Sequence, residues 1–147
     1  MNSCKRMQPV AEMAQQQADT AAQSVAECNR AYATMREQLD ELLSYRDDYA
    51  SGLQQKSHQG FNALQIKDYR LFMERLNKAI EQQQDVLNSA GVQLAASKQV
   101  WIEKQQRAKA IDSVVCRYQQ VEQRERSRRE QHEGDEHAQH FLRRQNN

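Results

Sequence analysis

Apolar material is scarce in this chain. Of its 147 residues, 38% are hydrophobic and 6% aromatic, which leaves a thick, multi-layer core short of side chains. One proline, Pro9, and four glycines give few places to turn, so folds with many loops are excluded. No apolar stretch approaches the roughly 20 residues that span a bilayer. The polar segment from Met1 to Val10 lacks the apolar run of a secretory signal, and the expectation is a cytoplasmic protein. The three cysteines agree with that compartment. Cys28 reads as a small buried thiol, and Cys4 and Cys116, toward one end of the molecule, are expected to stay reduced. Charge of one sign is also lacking. With 21 basic and 20 acidic residues the net charge is +1, so there is no general attraction to nucleic acid or anionic lipid.

Catalytic constellations are missing too. There is no glycine-rich phosphate loop, no nucleophile elbow and no cysteine pair at metal spacing. The expectation is a non-enzyme with no catalytic residues, no cofactor and no metal. His132, His137 and His140 lie among Glu133, Asp135 and Glu136, and we read them as part of a polar tail rather than as ligands.

What the chain does have is good helix formers and a repeat. Ala, Gln, Glu, Lys, Arg and Leu dominate. Apolar residues return at alternating steps of three and four, first at Met7, Ala11, Ala14, Ala18, Ala21, Val25, Cys28, Tyr32, Met35, Leu39, Leu42, Tyr49 and Leu53, with Arg46 the break. They return again at Ile66, Tyr69, Met73, Leu76, Ile80, Leu87, Ala90, Leu94, Trp101, Ala108, Ile111, Val115 and Tyr118, with Gln83, Ser97 and Lys104 as breaks. This is the heptad spacing of a coiled coil. A chain built this way has no interior in which to enclose a small substrate, so its function belongs to its surfaces and ends.

The fold expected is all-α: one domain, residues 1–147, forming a long antiparallel two-helix coiled-coil hairpin. Helix one covers about 4–55, a turn about 52–61, helix two about 62–130, and a polar tail that need not be ordered 131–147. Asn62 and Gln65 have the spacing of a capping box at the start of helix two. The turn sets the register, with paired inner residues having numbers that sum to about 119. Leu39 then meets Ile80, Val25 meets Leu94, and Ala11 meets Ala108. Helix two overshoots its partner, and the pairs Glu122–Arg126 and Glu125–Arg129 are spaced to support the overhang. Beside the seam, one flank is mostly polar. The other carries Gln38, Tyr45, Phe72, Ala79, Val86, Val100 and Val114, an apolar edge suited to docking or to a homodimer of the isolated protein.

These residues resemble a known family. Gln38-Leu39-Asp40-Glu41-Leu42-Leu43-Ser44-Tyr45-Arg46-Asp47-Asp48-Tyr49 is similar to the first signature of the flagellar export protein FliJ family. Tyr69-Arg70-Leu71-Phe72-Met73-Glu74-Arg75-Leu76-Asn77-Lys78-Ala79-Ile80-Glu81-Gln82-Gln83 looks like its second block. Trp101-Ile102-Glu103-Lys104-Gln105-Gln106-Arg107 fits the same alignment. The resemblance covers roughly residues 10–130. It implies a hairpin similar to the central stalk of rotary ATPases, in the bacterial flagellar type III protein export apparatus that serves flagellum biogenesis and motility. Such a protein would link the hexameric export ATPase to the membrane export gate and escort export chaperones. It would lie in the cytoplasm, peripheral to the inner membrane at the flagellar basal body, without inserting into the membrane.

By the same resemblance the surface meeting the cytoplasmic part of the gate would include Gln38, Leu42, Tyr45, Tyr49, Phe72, Leu76 and Ala79. Leu42, Tyr49 and Leu76 are also seam positions, and this chain has Gln83 where the family often has His. Arg117, Arg124, Arg126, Arg128 and Arg129 would face the ATPase ring. The alternatives are the equivalent stalk of a virulence type III system and a holdase-like hairpin chaperone. A nucleic-acid binder is disfavoured by the interleaved acidic residues.

Overall fold

The computed structural model describes residues 3–57 and 59–147. It is an all-α hairpin of two long helices that pack against each other, α1 (Ser3–Ser57) and α2 (Ala63–Gln145), with no strand among the described residues.

The connection is held by local chemistry. The Gln59 N–H donates to the Lys56 carbonyl at 2.9 Å, and Gly60 takes φ 88°, a left-handed conformation that glycine adopts without steric cost. The capping box then forms as its spacing requires. The Gln65 N–H donates to Asn62 Oδ1 at 2.8 Å, and the Asn62 N–H donates to Gln65 Oε1 at 3.2 Å. The turn is shorter than expected, because α1 continues through Gly52 to Ser57. One glycine costs a helix about 1 kcal/mol relative to alanine, and the half-buried Leu53 that follows helps offset that cost. His58, inside the expected turn, lies outside the described residues, as do Met1 and Asn2.

The far end of α2 also departs from expectation. The tail from residue 131 is helical as far as Gln145. Gly134 does not end the helix, and a pair between His132 Nδ1 and Glu136 Oε1 at 3.4 Å bridges it at i,i+4. The expected ion pairs Glu122–Arg126 and Glu125–Arg129 do not form among the described residues. Glu122 has another use, described below.

By packing, the chain resolves into two compact units. One comprises Ala21–Trp101. The other comprises the residues up to Thr20 and those from Ile102 onward. In the Ala21–Trp101 unit the buried residues Leu39, Leu76 and Ile80 form a cluster, with Leu42, Leu43, Phe72, Met73 and Leu87 packed against it. Tyr45 and Phe72, Tyr49 and Tyr69, and Met35 and Gln83 come together. Their numbers sum to 117 or 118, close to the register expected. Val25 and Leu94 are both half-buried.

In the second unit the paired numbers run somewhat higher. Ala108 clusters with Ala14 and Ala18 rather than with Ala11, and Ile111 packs on them. Here the Cys4 N–H donates to Glu122 Oε1 at 3.3 Å, so paired numbers sum to as much as 126. The small alanines let the helices approach closely. All three cysteines are free.

Candidate functional site

Among the described residues the buried side chains form only narrow clusters along the two helices. The buried ones among the described residues are Ala14, Ala18, Ala21, Leu39, Leu76, Ile80 and Ala108, and none is polar. Helix pairs of this kind bury one stripe per helix and expose the rest. Surfaces are therefore the place to look.

The first surface lies in the Ala21–Trp101 unit. Tyr45 and Tyr49 are one turn apart on α1, and Tyr69 and Phe72 occupy adjacent turns of α2, so antiparallel pairing brings four rings together. Tyr45 meets Phe72 edge to face with centroids 6.0 Å apart. Tyr49 tilts onto Phe72 at 4.3 Å and stacks on Tyr69 at 5.3 Å. Such pairs contribute about 0.5–1.5 kcal/mol beyond their buried area. The group is nonetheless open, because Tyr45 is 53% exposed and Tyr49 36%. A ring that is rigidly placed and half in water is a suitable anchor for a partner.

The other gate-facing candidates separate by burial. Gln38 is exposed and its Oε1 accepts from Gln83 Nε2 at 3.2 Å. Leu42 is half-buried against the Leu39 cluster. Ala79 is half-buried. Leu76 is 7% exposed and is part of the cluster itself, so it supports the surface from beneath. The structure thus assembles Tyr45, Tyr49 and Phe72, with Gln38 and Ala79 also on that unit.

Two residues were read too narrowly in the sequence. Tyr69 appeared only as a seam position, yet it is one of the four rings. The register alone pairs it with Tyr49, and that was the available signal. Gln83 appeared as a break in the heptads. Its Nε2 donates to the Met35 carbonyl at 3.0 Å as well as to Gln38, so it ties α2 to the backbone of α1. Arg46, the break in helix one, donates through Nη1 to Asn77 Oδ1 at 3.2 Å.

The second surface belongs to the other unit. From Gln123 to Gln145 every residue of α2 is exposed. Arg124, Arg126, Arg128 and Arg129 crowd its first two turns, and Arg117 lies just before them, also exposed. None of the five is in an ion pair among the described residues. The stretch begins immediately after Glu122, whose carboxylate accepts the N–H of Cys4 in the first turn of α1. That turn has no acidic residue of its own. Glu122 therefore supplies from α2 both an acceptor for an unpaired N–H and a negative charge at the positive end of α1.

Among the described residues no group of His, Cys, Asp and Glu is placed to hold a metal ion, and no helix is long and apolar enough to cross a membrane. Comparison with known proteins gives a consistent result. The family described as "Flagellar FliJ protein" matches residues 3–147. The chain is 28% identical over 133 residues to a protein named "Flagellar FliJ protein" from Salmonella typhi, covering 90% of each chain. It is 27% identical over 128 residues to one of the same name from Escherichia coli (strain K12), covering 87% of each.

Proposed function

The chain belongs to the flagellar FliJ family, and from that membership we propose that it is a non-enzymatic stalk of flagellar protein export, linking the hexameric export ATPase to the membrane export gate and escorting export chaperones. In this reading it works in the cytoplasm, peripheral to the inner membrane. The observation that carries the proposal is the stretch Gln123–Gln145 of α2, wholly exposed and without a partner helix among the described residues. A helix of that kind is available to enter another assembly, and its arginines suit acidic or carbonyl-lined walls. Arg117, Arg124, Arg126, Arg128 and Arg129 meet the ATPase ring. The open ring group of Tyr45, Tyr49 and Phe72, with Gln38, Leu42 and Ala79, meets the cytoplasmic part of the gate, and Leu76 braces it.

The test has two arms. Replacing the five arginines with glutamine should reduce stimulation of the export ATPase, and unchanged stimulation would remove them from the ring contact. Tyr45→Ala with Phe72→Ala should weaken binding to the cytoplasmic part of the gate while helicity by circular dichroism is retained. Undiminished binding would exclude the aromatic surface.

A further inference from the structure

Next to the aromatic group, near the turn, the Ala21–Trp101 unit has a half-open hollow of about 310 Å³. Tyr49 and Gly52 of α1, Phe61 of the turn and Tyr69 of α2 line it, together with the charged groups Asp48, Asp68 and Lys56. Neither Tyr45 nor Phe72 takes part in it.

Three features of the hollow agree on what would fill it. The first is charge. Each helix contributes one carboxylate, neither is in an ion pair among the described residues, and with Lys56 the lining carries a net single negative charge. The second is the rings. Tyr49 and Tyr69 lie parallel within 4°, and rings lining a hollow together with carboxylates favour a cation with an apolar stem. The third is space. Gly52 is helical, and a Cβ built there meets nothing within 4 Å. No packing contact requires glycine at a position where it costs about 1 kcal/mol relative to alanine. What its missing side chain leaves open is the hollow.

We propose that this hollow receives an arginine side chain presented by a partner protein. A guanidinium is planar, stacks on tyrosine and donates to carboxylates in a fixed fork. A lysine ammonium is a point charge and does this less well. The inference is separate from gate docking through Tyr45 and Phe72, although Tyr49 borders both surfaces.

The experiment is a titration of the full chain, followed by NMR, with a capped glycine pentapeptide bearing a central arginine. Matched peptides carry lysine or citrulline there, the latter having nearly the same shape without the charge. The arginine peptide should shift the amide signals of Asp48, Gly52 and Asp68, and citrulline should bind about tenfold more weakly or worse, with lysine between. Asp48→Asn with Asp68→Asn should weaken the arginine peptide by about tenfold as well. Gly52→Leu should abolish the shifts while helicity is kept, and Gly52→Ala, which raises helix propensity, should weaken them. Equal binding of citrulline and arginine, shifts that map elsewhere, no binding to the unaltered chain, or full binding by Gly52→Leu would each overturn the proposal. Retained binding of the arginine peptide by Tyr45→Ala with Phe72→Ala would show that the hollow acts apart from the gate surface.

Discussion

Gln83 occupies a seam position where leucine would bury more apolar surface. Its amide reaches the Met35 carbonyl and the Gln38 side chain, and the Met35 carbonyl sits in a helix that already bonds it. Replacing Gln83 with leucine therefore strands no buried polar group. Gln83→Leu should raise stability by about 0.5–1 kcal/mol in urea unfolding, with looser definition of the register, since polar seam residues act as register devices. Gly91 is the opposite case, a residue fitted to a neighbour. A Cβ there would meet Tyr32 Cε2 at 3.4 Å, just within ordinary contact. Gly91→Ala should stabilise by about 0.5–1 kcal/mol through helix propensity, and Gly91→Leu should destabilise by driving into the Tyr32 ring. A pair of thermal melts distinguishes the two. At this scale the sequence was informative wherever a side chain obeys the heptad. From Ala21 to Leu53 each inner residue of α1 is buried or half-buried except Tyr49. It was uninformative where a polar seam residue finds its partner across the hairpin, because a heptad pattern records polarity and not geometry.

Element by element, the helices exceed their punctuation. Glycine marks ends well when nothing else supports the helix, and Gly60 does so here with φ 88°. Gly52 and Gly134 sit inside helices, where flanking packing or an i,i+4 pair outweighs a small propensity cost. Pro9 lies within α1 and removes a donor from the ladder near its start, which makes the first turns of α1 depend on support from elsewhere. Glu122 gives that support. Glu122→Ala should destabilise by about 1 kcal/mol, read as a lower melting temperature, with the helical signal of the Ser3–Gln8 turns lost first by NMR chemical shift. No local motif announces this cap, since Cys4 and Glu122 are far apart in sequence and only the fold pairs them.

For the whole molecule, the fold class, the two helices and their antiparallel sense were legible, because one period held through both runs and one glycine-bearing segment interrupted it. Less legible was the pairing around Ala108, because alanines, being small and alike, fix register weakly. The candidate surface was legible as an edge bearing Tyr45 and Phe72. Its depth was not, and Leu76 proved buried in the cluster with Leu39 and Ile80. Ile80 is buried within that cluster, so Ile80→Ala should cost about 2–4 kcal/mol, measured by urea unfolding.

The solitary helix from Gln123 to Gln145 has a thermodynamic consequence. Most helical stability in proteins comes from tertiary packing, and this segment is exposed throughout, so its peptide N–H groups should trade hydrogen for deuterium quickly while those around Ile80 remain protected. Any assembly that grips this segment would then announce itself as slowed labelling there, even if no residue moves. The bare end of α2 thus serves as a built-in reporter of its own occupancy.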